Sequence, residues 1–186
     1  MILAGIDYSI TCPALVIGKV GSSFDDLKFY SFATKKRHYS NKSQITLLTY
    51  PLWKTDQERY DRLSELFMEI LKTEKVDHVM MEGYAYGSSA GQVFQIAENT
   101  EVLKYKMYKN DIPYDVLAPT QIKKYFTGSG NSNKGMMFLS FKKICPYDIH
   151  MAIGDPSEPN DVGNPVSDMV DAYAIWCMNN QQYMVK

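Results

Sequence analysis

Four acidic residues, Asp7, Glu82, Asp168 and Asp171, stand where a fold ordinarily puts apolar side chains. Asp7 follows the run Ile2-Leu3-Ala4-Gly5-Ile6, Glu82 follows Val76 to Met81, and Asp168 and Asp171 fall on the inner stripe of the last helical segment. Such positions predict an inward-facing cluster, which constrains any fold the chain can adopt. Buried carboxylates lose hydration and repel one another, so their pKa values rise unless a positive charge sits among them. A divalent cation is the usual remedy. An all-oxygen donor set suits Mg²⁺ or Mn²⁺ rather than zinc or copper, and a paired-metal site of this type points to phosphodiester chemistry.

The 186 residues match the size of one α/β domain. Hydrophobic residues at 45% and charged residues at 22% argue against extensive disorder. Cys12, Cys145 and Cys177 show neither a C-x-x-C pair nor zinc spacing, so no disulfide framework or metal finger is expected and a reducing cytoplasm fits. No basic leader with an apolar core opens the chain, and no apolar run reaches a membrane span.

A net charge of −1 looks wrong for a protein that handles nucleic acid until the charges are placed along the chain. Leu27 to Thr55 lacks acids but carries Lys28, Lys35, Lys36, Arg37, Lys42 and Lys54. Val116 to Tyr147 is likewise acid-free and carries Lys123, Lys124, Lys134, Lys142 and Lys143. Ile144 to Val185 has no Lys or Arg, yet holds Asp148, Asp155, Glu158, Asp161, Asp168 and Asp171. A basic face for phosphate beside an acidic centre for cations supplies both parts of a nuclease. The bland alternative is a set of solvated faces.

The hydrophobic pattern predicts three strands, Ile2 to Ser9, Ala14 to Val20 and Leu27 to Thr34, joined as an antiparallel meander. Thr55-Asp56-Gln57-Glu58 forms a capping box for a helix reaching about Lys75, with Tyr60, Leu63, Leu66, Phe67, Ile70 and Leu71 on one stripe. Val76 to Met81 is a fourth strand, Gly83 to Gly91 a loop, Gln92 to Lys109 a helix and Pro113 to Leu117 a fifth strand. Helices follow from Pro119 to about Phe126 and from Asn133 to Lys143, split by Thr127-Gly128-Ser129-Gly130-Asn131. Pro146 to Asn164 reads as a long loop, and Asn164 as N-cap with Pro165 at the first helical position opens a last helix to about Asn179. This order predicts an α/β, ribonuclease H-like fold in one domain over residues 1–186: a mixed five-stranded sheet, its first three strands antiparallel, flanked by helices. The first and fourth strands then lie side by side in parallel, which brings Asp7 and Glu82 to one edge. Asp168 and Asp171, three apart, share a helix face and reach the same place.

The residues that carry this plan also carry a resemblance. Gly5-Ile6-Asp7, Met81-Glu82, Ser167-Asp168-Met169-Val170-Asp171-Ala172, and Pro119-Thr120-Gln121-Ile122-Lys123-Lys124 followed by Thr127-Gly128-Ser129-Gly130 and Lys134 resemble the motifs of RuvC-type Holliday-junction resolvases, in a divergent, phage-like form. The likeness spans nearly the whole chain. It implies a Mg²⁺-dependent endonuclease with two ions, Mn²⁺ substituting, held by Asp7, Glu82, Asp168 and Asp171. It implies Lys123 and Lys134 at the DNA, with Lys134 at the scissile phosphate, and products with 5′-phosphate and 3′-hydroxyl ends. It further implies branched, four-way-junction DNA as substrate and a two-fold homodimer, for which the Gln92 to Lys109 helix is the candidate seam.

Departures from the family pattern bear on substrate choice. Asp7-Tyr8-Ser9 stands where the family has Asp-Pro-Gly, and Ala85 occupies an aromatic position, with Tyr84 and Tyr86 on either side as candidate wedges at a branch point. Lys35, Lys36, Arg37 and Lys124 complete the candidate DNA-binding set. Two other readings keep their place: another ribonuclease H-like nuclease for flaps or RNA–DNA hybrids, and a non-catalytic DNA-binding module. Actin-like and sugar-kinase ATPases share the Gly-Ile-Asp opening but need two such domains, which this length does not hold.

Overall fold

The N-terminal apolar runs form β1 (Ile2–Asp7), β2 (Ala14–Lys19) and β3 (Lys28–Ala33), paired antiparallel in sequence order. The computed structural model describes residues 1–33, 44–49, 52–83, 90–153 and 162–185. Along β1, Ala4 and Ile6 face one side of the sheet and Leu3 faces the other, as the two-residue pleat requires. Two further strands, β5 (His78–Glu82) and β6 (Tyr114–Leu117), extend the sheet in parallel beyond β1.

The sixth strand is β4 (Ile45–Thr49), parallel to β3, and the full order is β4-β3-β2-β1-β5-β6. The expected five-stranded sheet is therefore six-stranded. Gln44 to Thr49 is a short run inside a basic, acid-free stretch, and as an edge strand it is buried mainly through Ile45. Its pairing with β3 supplies what its local pattern lacks.

Helices cover both faces. On one side α1 (Asp56–Thr73) and α2 (Ala90–Lys109) bury Leu63, Phe67, Leu71, Leu103 and Met107 against Ala4, Ile6, Leu15, Val79 and Met81. Thr55 caps α1 by accepting from Glu58 N–H, but the Glu58 carboxylate reaches back to Lys54 N–H at 2.7 Å rather than to Thr55, a one-residue variant of the expected box. On the other side lie α3 (Pro119–Thr127), α4 (Lys134–Lys142), the short α5 (Ile149–Ile153) and α6 (Val166–Met184). α5 interrupts the stretch expected as loop, because Asp148 caps it through His150 N–H and Ile149, Ala152 and Ile153 are buried.

α6 departs from expectation at both ends. Asn164 is not its N-cap: the Pro165 carbonyl accepts from Met169 N–H, and the Asn164 side chain instead accepts from Ser167 Oγ at 2.7 Å. At the far end the helix runs past Asn179 to Met184. Asn179, fully buried, donates to the Ala4 carbonyl at 3.0 Å and to the His78 carbonyl, and its Oδ1 meets His78 Nδ1 at 3.0 Å. One amide thus ties α6 to β1 and β5 together.

The closest approach of helix to sheet is at Gly5. A Cβ there would stand 2.2 Å from the Trp176 backbone nitrogen and 2.5 Å from the Ala172 carbonyl oxygen, both too close for any atom. Gly5 therefore lets the α6 backbone rest on the β1 backbone. Gly5→Ala is expected to cost about 3 kcal/mol or more, because neither backbone can yield without disturbing the sheet. Urea unfolding checks this; a loss below about 0.5 kcal/mol would contradict the tight seat.

Candidate active site

The site follows from the strand pairing. β1 and β5 run parallel with Ile6 opposite Met81, so the next residues, Asp7 and Glu82, end two neighbouring strands side by side. Leu3, Gly5 and Asp7 alternate onto the α6 face, as do His78, Met80 and Glu82. α6 touches Gly5 through Ala172 and Trp176, and one turn nearer its start it carries Asp168 and Asp171 toward the ends of those strands. Asp7 and Asp168 are buried, and Glu82 and Asp171 are partly buried.

The turn after Asp7 explains how this chain dispenses with Pro-Gly. Ser9 Oγ accepts from Cys12 N–H at 3.2 Å, Arg59 of α1 donates to the Ile10 carbonyl, and the Tyr8 ring packs edge-on against Phe67 at 4.9 Å. A hydroxyl, a guanidinium and an aromatic anchor hold the turn.

Burial and the neighbouring charges act together on the four acids. Burial, then repulsion from Asp168, Glu82 and Asp171, holds the Asp7 carboxyl well above the usual range. Burial and then Asp171 push Glu82 up to about 7. Burial pushes Asp168 up to about 7, against the lowering influence of Lys134, and Asp171 up to about 6, against Lys134 and Lys123. Asp168 Oδ2 is buried with no hydrogen-bond partner. As the side chains stand, no three carboxylate, imidazole or thiol groups among the described residues close around a single point.

Lys123 and Lys134 reach this cluster from two helices whose relation is fixed locally. Gly128 ends α3 in the left-handed conformation at φ 85°. The Thr127 and Ser132 hydroxyls meet at 2.5 Å, and the Asn133 side chain caps α4 by accepting from Met136 N–H. Lys134 at the first position of α4 bonds Ser167 Oγ at 3.1 Å. Lys123 lines a cavity of about 530 Å³ that opens beside Asp7 and Glu82 and continues to Thr11, Gln95 and Thr100.

Five of the sequence-predicted site residues, Asp7, Glu82, Asp168, Asp171 and Lys134, therefore come together, with Lys123 beside them. Lys124 does not join them: one residue on, it lies exposed and away from the cavity. Lys35, Lys36, Arg37, Tyr84 and Tyr86 lie outside the described residues. Sequence reasoning missed Gln95 and Thr100 of α2 and the hydroxyl of Ser167. Ser167 stood within a quoted motif, but nothing local tells a serine that meets a distant lysine from one that does not.

The raised carboxyls set a pH dependence. In the unfolded chain these groups titrate near 4, whereas the folded protein keeps protons on them toward about 7. The native state thus binds more protons in this interval, so their contribution is most favourable below about pH 4 and is lost as pH rises through about 7. In chelator, the melting temperature is expected to fall between about pH 5 and about pH 8. Asp168→Asn should flatten that slope and melt higher than wild type at the upper end; calorimetry at several pH values checks both.

No family model matches the sequence, and no curated protein matches it by sequence. Solved structures do match. Thermus thermophilus RuvC aligns with a TM-score of 0.61 at 17% identity, covering 98% of this chain and 97% of that one. The yeast mitochondrial Holliday junction resolvase aligns at 0.57 and 17% identity, covering 97% and 80%. The fowlpox virus resolvase, solved with Holliday junction DNA, aligns at 0.52 and 13% identity, covering 99% of each chain. With Asp7 and Glu82 ending adjacent parallel strands and Asp168 and Asp171 on the closing helix, the chain has the ribonuclease H-like fold in the form found in RuvC and other Holliday-junction resolvases.

Proposed function

We propose that this protein is a metal-dependent, structure-selective endonuclease that nicks branched DNA and resolves four-way junctions. The observation that carries the reading is the convergence of four mutually repelling acids and two lysines on a fold whose solved neighbours include resolvases with junction DNA. An acid cluster that lifts its own pKa values is a standing cost, and a cation among the acids offsets it.

The donor set fits Mg²⁺, with Mn²⁺ able to substitute. All four ligands offer oxygen only, and the orphaned Asp168 Oδ2 is a buried acceptor in want of a partner. When bound, a pair of such ions supplies activation of the attacking water and stabilisation of the leaving 3′ oxygen. Asp7 and Glu82 at the strand ends, with Asp168 and Asp171 on α6, would hold that charge. Lys134 offsets negative charge developing on the phosphorane, and Lys123 draws the backbone into the cavity, leaving 5′-phosphate and 3′-hydroxyl ends.

Two symmetry-related cuts call for a two-fold dimer. Phe94, Tyr105 and Tyr108 of α2 are 71%, 61% and 71% exposed and follow one helical stripe through Glu98 and Glu101. Paired antiparallel about Glu101, two such helices set Phe94 of one copy against Tyr108 of the other. Tyr105→Glu combined with Tyr108→Glu is expected to give a monomer by light scattering; an unchanged mass would remove α2 as the seam.

Labelled four-way junction, fork, flap, linear duplex and RNA–DNA hybrid offered with Mg²⁺ test the function. Paired symmetric nicks in the junction are expected, and Asp7→Asn should lower the rate by about a thousandfold or more while junction binding persists. Preferential cutting of flap or hybrid would transfer the site to another ribonuclease H-like nuclease activity, and Asp7→Asn with normal cleavage would remove it.

A further inference from the structure

Lys134 is surrounded by acids yet is not paired with them. Among the described residues its ammonium makes one hydrogen bond, to Ser167 Oγ at 3.1 Å, and forms no ion pair within 4 Å. Its partner Ser167 immediately precedes Asp168 on α6, so the ammonium stands beside the acid cluster. Coulomb attraction alone would draw a flexible lysine onto the nearest carboxylate. Something holds it back.

That restraint is a neutral relay. The Ser167 hydroxyl has one proton, and it is directed to Asn164 Oδ1 at 2.7 Å. The serine oxygen is thereby left as an acceptor facing Lys134, since an ammonium only donates. Ser167 is 2% exposed, so no water competes freely for either bond. Its backbone is fixed as well, by Ser167 N–H to the Gly163 carbonyl at 3.1 Å. The backbone that carries the lysine is fixed too, because Lys134 opens α4 directly after the Asn133 cap.

We propose that Ser167, oriented by Asn164, is a positioning residue that anchors the Lys134 ammonium through an uncharged acceptor, keeping its positive charge unspent for the scissile phosphate and out of the carboxylates that gather cations. The inference rests on the nuclease reading above for its consequence, though not for its geometry. A carboxylate in place of the hydroxyl would orient the lysine but also neutralise it. The hydroxyl orients it and leaves the charge intact.

Ser167→Ala removes the acceptor and little volume. Expected is a fall in single-turnover cleavage of at least about tenfold with junction Kd within about twofold, and retention of most activity in Ser167→Thr, which keeps the hydroxyl. A serine that merely supports the fold would lower activity whatever occupies position 134, so the deciding measurement is a double-mutant cycle. In a Lys134→Ala background, Ser167→Ala should cause no further loss. An equal loss in both backgrounds, or wild-type cleavage by Ser167→Ala, overturns the proposal. The same cycle read by urea midpoints needs no cleavage at all. If the wild-type protein nicks no branched DNA, the nuclease reading fails by itself, while the midpoints still report the anchor: a shift on Ser167→Ala that disappears with Lys134→Ala supports it, and equal shifts refute it.

Discussion

The seat of α6 on β1 at Gly5 governs the rest of the molecule. Two backbones meet there with no side chain between them, and the position of Asp168 and Asp171 relative to Asp7 is set one helical turn away. At the other end of the helix, Asn179 locks the same element to the carbonyls of Ala4 and His78. The helix is pinned at two points along its axis, so it can neither slide nor rotate without breaking buried contacts. A tolerance this small matters because a catalytic constellation that shifts by about an ångström loses much of its power.

Around that seat the chain concentrates its unfavourable features. Burial raises the pKa values of all four acids, repulsion from neighbouring acids adds to it at Asp7, Glu82 and Asp168, and a carboxylate oxygen of Asp168 goes unpartnered. Lys134 sits at the positive end of α4, where the helix dipole disfavours a cation. None of these choices helps the fold. They are tolerated because two apolar layers, one under α1 and α2 and one under α6, supply the stability from elsewhere. Local rules broken together in one place mark a site shaped for something other than stability.

Much of the architecture is legible in local pattern. Alternation identifies β1, β2 and β3, helical stripes identify α1, α2 and α6, and Pro119 and Gly128 bracket α3. The acids are legible too, because a charged residue at the end of an apolar run contradicts its surroundings. Illegible are β4, whose few residues become a strand only through pairing with β3, and α5, whose Ile149, Ala152 and Ile153 are buried in the core layer shared with α4 and α6. The start of α6 misleads because Asn164 and Pro165 look like a cap and a first helical residue. The Asn164 side chain is engaged instead with Ser167.

The sequence by itself determined which residues share a face, since strand and helix periods are properties of neighbouring residues: Gly5 with Asp7, Met80 with Glu82, Asp168 with Asp171. Only the tertiary structure decided which faces meet and what they meet with. It selected Lys123 and left Lys124 exposed, and it set the Ser167 oxygen to accept from a lysine of another helix. The reason is physical. Periodicity is written in bonds along the chain, whereas distances between segments are settled by packing among residues far apart in it, where one glycine decides how close a helix can lie.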